Sequence, residues 1–482
     1  MVPRKQIHLN FFDQFCAGSH MGQGQWKEDD DNSRYKDRLE YYHWLARLAD
    51  KGKISAIFVA DVYGVDEKYQ NSAKATFQGG TNIGSLDPLV VVPAMASVSK
   101  NVSFGVTGST SYINPFQLAR TMSTLDHLCK GRFAWNIVTS YNSTAAKAMG
   151  RTTITAHDKR YEEADEFMDL VYSLWEGSWE DGAQIWSREK GAYHYEKVHK
   201  VNFTGKYYKT ESYGAMHPSP QRTPVLFQAG TSTAGIAFAA KHAEAIFGGG
   251  ASAAEIRKVV DKLRAAAAAN GRDPSHIKFF PQLTPVLGRT VEEAQAKYDR
   301  AIKNADYEAG LSRMSGYLDV DFSEYPLDEP FVVKDAKPNS GIHAMVAVLQ
   351  QYSDKPMTPR QIGKQMSFCG FAPMPVGTPE MVADFIEKWA DEGDIDGINI
   401  AYLSNPTSYE DVVELLVPVL QERGIMWKDY AVPEGTFREN LLRQPGQTKV
   451  PDSHAGAQFR YDDLKKKEGV VDEKGDIWIS RV

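Results

Sequence analysis

The chain has 482 residues, 42% of them hydrophobic and 11% aromatic, enough to bury a large core in one domain or a few. Its 55 basic and 62 acidic side chains are well mixed and give a net charge of −7, with no basic stripe to track phosphates, which argues against a nucleic-acid partner. Cys16, Cys129 and Cys369 lie far apart with no CxxC spacing, the pattern of a reduced, cytoplasmic protein rather than a disulfide framework.

Short apolar runs alternate with helical patterns along the chain. The runs are "IHLNFF" (7–12), "ISAIFVAD" (54–61), "VSFGVTGST" (102–110), "RFAWNIVTS" (132–140), "PVLFQAG" (224–230), "EAIFGGG" (244–250), "IKFFPQLTPVLG" (277–288) and "GINIAYL" (397–403). Apolar on both faces, they read as parallel strands covered by helices. The helical stretches include "RLEYYHWLARLADKG", closed by a glycine, and "AAEIRKVVDKLRAAAAANG", which ends on Asn-Gly. Another begins at Thr378 and Pro379, a cap and first-turn pair.

Eight strands alternating with helices predict an α/β fold, specifically a (β/α)8 TIM barrel with insertions. An open doubly wound sheet is the alternative, but no strand leads into a GxGxxG loop. The barrel is expected over residues 1–425, with insertions near 175–223 and 300–376 lying over the active face. Residues 426–482 read as a polar C-terminal extension. No window approaches eighteen apolar residues and the N-terminus has no sustained apolar region, so neither a membrane span nor a signal peptide is expected. The sequons at Asn101, Asn142 and Asn202 are therefore read as chance matches.

A parallel barrel builds its site where strands end. Those ends supply Asn10 and Phe12, then Asp61, then Thr107, Ser109 and Thr110. Asn136, Thr139 and Tyr141 follow, and "QAGTSTAG" adds Gln228, Gly230, Thr231 and Ser232. This is a ring of neutral hydrogen-bonding groups with one carboxylate. It contains neither the converging ligands that a catalytic metal needs nor a GxSxG elbow for a serine nucleophile. It suits a planar heterocycle needing several in-plane hydrogen bonds. The small residues of "QAGTSTAG", where a strand gives way to a helix, suit an anionic tail.

The stretches "FVADVYG", "RTMSTLDHLCKGRFAWNIVTSY", "HDKRYEEADEFMDLVYSLWEGSWE", "SPQRTPVLFQAGTS" and "GINIAYL" resemble the bacterial luciferase-like flavin monooxygenases. More narrowly, they are similar to the group containing the long-chain alkane, dimethyl-sulfide, dibenzothiophene-sulfone and nitrilotriacetate monooxygenases. The resemblance implies an insertion-bearing TIM barrel, dimeric or tetrameric, using O2 and reduced FMN delivered by a separate NAD(P)H:flavin reductase. Carried over by motif, it places Asp61, Thr110 and Asn136 along the flavin ring, with Ser140 and Tyr141 at the fourth strand's exit. Tyr161, Gly230, Thr231 and Ser232 would hold the ribityl phosphate. His157 and Asp158, just before Tyr161, read as a helix cap, with His157 facing the flavin site as the alternative.

The substrate side departs from the alkane enzyme. Cys16 and His20 in "FCAGSH" correspond to its Cys and His with one extra residue between them; each is a catalytic candidate, and Cys16 is equally well a packed thiol. Tyr141 stands where that enzyme has a His, Asp66 where it has a Tyr, and Arg313 where a later His falls. His20 and Tyr141 are the nearest proton donors in this reading, and Asp66 and Arg313 the substrate contacts. Charged groups fit poorly in a purely aliphatic pocket, so a small polar or heteroaromatic substrate is expected. The rival readings are a lyase-type oxygenase degrading a heterocycle such as riboflavin, and a non-catalytic FMN-binding protein.

Overall fold

All eight apolar runs form strands, and the strands close into a parallel barrel. The structure, a computed structural model, describes residues 5–19, 21–332, 353, 355–368, 370 and 372–481. The strands are β1 (His8–Gln14), β2 (Ala56–Ala60), β3 (Ser103–Ser109), β4 (Phe133–Val138), β5 (Val225–Gln228), β6 (Ala245–Gly248), β7 (Lys278–Leu283) and β8 (Gly397–Ala401). Each lies beside its neighbours in sequence, and β8 closes the ring by pairing with β1, Asn10 opposite Asn399. Strand parity divides the core. Phe12, Phe58, Ala134, Phe227 and Phe280 point inward and fill the barrel. Phe11, Val59, Val106, Trp135, Leu226 and Ile400 point outward, under the helices.

The flanking helices are α1 (Leu39–Lys51), α2 (Pro88–Ser97), α3 (Pro115–Leu128), α4 (His157–Tyr172), α5 (Thr233–His242), α6 (Ala253–Ala269) and α7 (Pro379–Gly393). An eighth is built from Thr407–Asp411, a wide turn over Val412–Leu416, and Val417–Glu422. Three helices start with a capping side chain followed by proline. Asp87 accepts from Leu89 N, Asn114 from Phe116 N, and Thr378 from Met381 N. The prolines lack the N–H that a first turn leaves unpaired in any case. Asn270 ends α6, and Gly271 follows at φ +72°. Among the described residues no helix is long and apolar enough to cross a membrane.

Two expectations need correction. The run 277–288 is two strands: β7 stops at Leu283, and Val286–Leu287 pairs instead with Val376–Gly377. Pro285 lies between them and has no N–H for a continuous ladder. The connection over 175–223 joins a helix to the next strand, so it starts at the N-terminal ends of the strands, opposite the active face. Its hairpin, Lys200–Thr204 with Lys209–Tyr213, runs up beside α4, where Glu166 accepts from the backbone N–H groups of Lys206, Tyr207 and Tyr208. The Tyr208 hydroxyl reaches the strand-exit side, donating to Thr110 O at 3.3 Å. The region 300–376 does follow a strand's C-terminal end. Its helices Tyr307–Leu318 and Pro359–Phe368 cross closely enough that a Cβ on Gly310 would lie within 2 Å of Gly363 O.

The segment after residue 425 is part of the barrel's closure. Thr436 and Glu439 form a reciprocal capping box on the short helix Phe437–Leu442. Phe437 and Leu441 pack into the inward-facing aromatic cluster. Arg438, fully buried, donates from Nε and Nη2 to both carboxylate oxygens of Glu244 at 2.6 and 2.9 Å, and also to Thr223 O and Thr448 O. Strand Ile477–Ser480 then pairs with Lys200–Thr204. Arg438→Ala would leave Glu244 buried without its counter-charge. A loss of about 3–5 kcal/mol is expected, read as a lower urea midpoint at neutral pH.

Candidate active site

At the C-terminal ends of β2, β4 and β5 the chain turns polar around a cleft of about 240 Å3. The end of β2 contributes Asp61, and the segment beyond it Tyr63 and Asp66. The exit of β4 contributes Thr139, Ser140, Tyr141 and Asn142, and that of β5 Gln228, Ala229 and Gly230. Tyr161 of α4, Phe238 of α5, Asn82, and Tyr317 of the insertion helix complete the walls. Ser140 holds a left-handed backbone, φ +34°, fixed by a 2.7 Å hydroxyl contact with Ser109. That turn carries Tyr141 and Asn142 into the cleft.

One end is formed by a tightly placed glycine and the start of α5. A Cβ on Gly230 would meet the Tyr161 hydroxyl at 2.3 Å and Gln228 Nε2 at 2.6 Å, so only a glycine backbone fits there. Ser232 caps α5, accepting from Gly235 N at 3.1 Å. His157 Nε2 lies 3.3 Å from the Ser232 hydroxyl. His157 and Asp158 do not cap α4, whose cap residue is Ala156; the imidazole instead faces the start of α5. Burial raises the Tyr161 phenol, and its contact with Ser232 opposes the rise.

Toward the barrel axis, acceptors go unmet. Asn136 donates to Thr107 Oγ1 at 2.8 Å, but its Oδ1 is buried without a partner, as is Gln228 Oε1. Asp61 receives one hydrogen bond, from Val62 N, and burial, reinforced by Asp87, pushes its carboxyl up to about 6. On the outer side, burial also pushes Asp66 up to about 6; Arg313 and a hydrogen bond from Asn142 pull the other way. Tyr141 is about half exposed, at 54%, and partial desolvation at the cleft raises its phenol, with Tyr317 and Asp66 adding to the effect.

The remaining candidates are spread around this cleft. Thr110, buried, donates to Val138 O and joins β3 to β4 at the rim. Thr231 and Ser232 are exposed just beyond Gly230. Arg313 is buried, donating to the Tyr317 hydroxyl at 3.1 Å with Met21 Sδ 3.6 Å away. Cys16 is fully buried beneath the rim, its thiol pushed up to about 11 by burial. His20 lies outside the described residues.

Compared with known proteins, residues 7–394 match the luciferase-like monooxygenase family. The chain belongs to that family. It is a monooxygenase, and the family's chemistry rests on reduced flavin and O2. It is 39% identical over 472 residues to the dimethyl-sulfide monooxygenase of Hyphomicrobium sulfonivorans, covering 97% of this chain and 96% of that one. It is also 39% identical over 458 residues to the long-chain alkane monooxygenase of Geobacillus thermodenitrificans, covering 95% and 98%. Among solved structures, DmoA from Hyphomicrobium sulfonivorans superposes with a TM-score of 0.89 at 38% identity, over 96% and 97% of the two chains. A riboflavin lyase with modified FMN and riboflavin gives 0.83 at 32%, over 95% and 100%.

In this luciferase-like monooxygenase, sequence reasoning passed over several cleft residues. Gln228 stood among the polar strand ends without a role, while Tyr63, Asn82, Asn142, Phe238 and Tyr317 carried no signal at all. Lys36 was missed too. It reads as a surface charge in "RYKDRLE", yet it is fully buried, donating to Asp13, Gln14 O and the Tyr402 hydroxyl. Ser19 bonds the same Tyr402 hydroxyl and accepts from Met21 N and Gly22 N, so this network braces the loop after β1.

The raised carboxyls set a signed pH dependence. A carboxyl whose folded pKa exceeds its unfolded value favours folding in the protonated form. That contribution is whole below about pH 4 and is lost as pH rises through about 6. Asp61→Asn and Asp66→Asn cannot ionise. Each variant is therefore expected to gain stability over the parent as pH rises from 4 to 7, by on the order of 1–2 kcal/mol, read from urea midpoints at both pH values.

Proposed function

We propose that this protein is the oxygenase component of a two-component system, using FMN reduced by a separate NAD(P)H:flavin reductase, and O2, to oxygenate a small organic substrate. The observation that carries the FMN assignment is the pairing of a glycine cradle with unmet acceptors in one cleft. Gly230 leaves room where any side chain would collide with Tyr161 and Gln228. Asn136 and Gln228 hold buried carbonyl oxygens without partners, and Asp61 has a single hydrogen bond. A phosphate-bearing heterocycle with ring N–H groups answers both needs.

In this reading Tyr161, Ser232 and the Gly230–Thr231 backbone hold the phosphate, with His157 beside Ser232 as a further donor. Asp61, Asn136 and Gln228 accept from the ring edge, and the Ser140 turn orients it. Bound reduced FMN supplies the activation of O2. Tyr141 and His20 are the proton donors of this reading, and the Tyr141 phenol, kept protonated, holds its proton available at the cleft. Cys16, buried with its thiol raised, serves as packing beneath the rim. Tyr317 and the helix that bears it cover the outer side and exclude water. A homodimer or homotetramer belongs to the same reading. The likeness to a riboflavin lyase favours a second reading, oxidative cleavage of a heterocycle at the same site.

The test supplies FMN, NADH, a general flavin reductase and 18O2, with dimethyl sulfide, an alkane, indole and riboflavin as trial substrates. Incorporation of 18O into any of the first three supports the oxygenase, and fragmentation of riboflavin supports the lyase-type reading. Absence of FMN binding overturns the cofactor assignment, and FMN binding with no turnover excludes these four as substrates. Gly230→Ala is expected to weaken FMN binding at least tenfold in a fluorescence titration while leaving the folded circular-dichroism spectrum unchanged. Unaltered affinity removes the cradle from the site.

A further inference from the structure

Several buried carboxylates of the protein are met by more than one donor. Asp13 receives Lys36, the Tyr41 hydroxyl and Gln14 N. Asp126 receives two bonds from Gln221, Glu166 three from backbone N–H groups, and Glu244 the Arg438 guanidinium. Desolvation of each is offset by several donors, as a charge removed from water requires. Asp61 and Asp66 are half-buried, both line the cleft, and each receives a single donor bond. Asp61 belongs to the cofactor end described above. Asp66 lies outside it, beside Tyr141 and Tyr317.

Asp66 is held as though its carboxylate had to face the cleft. Its backbone carbonyl accepts from the Thr76 hydroxyl at 2.6 Å. A Cβ on Gly316 would lie 2.1 Å from Asp66 Oδ1, so the insertion helix gives up a side chain to admit the carboxylate. The donor bond it receives is a long one, from Asn142 Nδ2 at 3.4 Å, and Asn142 Oδ1 is already committed to Thr144 N and Ala145 N. Asn82, on the same cleft, carries a buried Oδ1 with no partner. Arg313 lies near enough to act on the Asp66 charge, but the one donor bond Asp66 receives is the long one from Asn142, so its carboxylate retains room for a further donor. Val62, Ile137, Val138, Ala145 and Phe238 add apolar surface to the lining.

We propose that the outer wall of the cleft selects a substrate carrying an N–H or O–H on an otherwise apolar body, the donor being received by the Asp66 carboxylate. The proposal rests on the oxygenase reading for what happens next, but the recognition is a property of the wall itself. An alkane or a thioether of the same size would leave Asp66 desolvated and unanswered. Asp66 thus acts as a specificity residue that meets the substrate directly.

Indole and indene are matched probes, differing in an N–H against a CH2. Their binding to flavin-free protein, followed by calorimetry at pH 7.5, should favour indole about tenfold, the scale of one hydrogen bond to a charged acceptor. Asp66→Asn keeps an acceptor and should keep most of that preference, whereas Asp66→Leu should abolish it by weakening indole and leaving indene unchanged or tighter. Urea midpoints confirm that both variants are folded. Equal binding of the two probes by the parent, failure of indole to bind, or a preference that survives Asp66→Leu overturns the proposal. A separate FMN titration of the parent keeps the two readings apart: loss of FMN binding there sinks the cofactor assignment without touching the indole comparison.

Discussion

The bidentate pair between Arg438 and Glu244 anchors the segment whose side chains fill one end of the barrel. Both groups are buried, so each depends on the other for its charge to be tolerated. The pair ties a helix from the last sixty residues to the start of β6 and sets Phe437 and Leu441 against the inward-facing phenylalanines. That end is filled by aromatic rings, and the polar cleft lies where the strands exit. The C-terminal segment is in this sense the floor of the site, although none of its residues lines the cleft.

From that closure the rest follows by strand parity. Inward residues must fill a tapering cylinder, so phenylalanines and alanines share it. Outward residues must pack on helices, so the strands are apolar on both sides and change character only at their ends. The ends then carry the hydrogen-bonding groups, and several are left unsatisfied within the protein. A buried acceptor without a partner is costly, and Asn136, Gln228 and Asn82 each keep one at or beside the cleft. The strained turn at Ser140 belongs to the same economy, holding two side chains in the cleft at the expense of backbone comfort.

Much of this was legible in the chain. Eight apolar runs became eight strands because a strand buried on both faces has no other sequence signature. Thr378 with Pro379 began a helix because a capping hydroxyl and a missing N–H are local matters, settled within four residues. The site was legible in part. Asp61, Ser140, Tyr141, Tyr161 and Gly230 come together on one cleft, whereas Cys16 and Thr110 are turned into packing and rim contacts. Pro285 broke a run that read as continuous, and His157 turned from a presumed cap to face another helix's start.

The sequence by itself determined the strands, the helix starts and the polar character of the strand ends, because each depends on residues near one another along the chain. Only the tertiary structure decided that Lys36 is buried, that the connection over 175–223 starts at the far end of the barrel, and that Asp66 stands against a glycine with almost no donor of its own. The reason is the same in each case. Desolvation and ion pairing depend on which groups are brought together across tens or hundreds of residues, and neither period nor spacing records that distance.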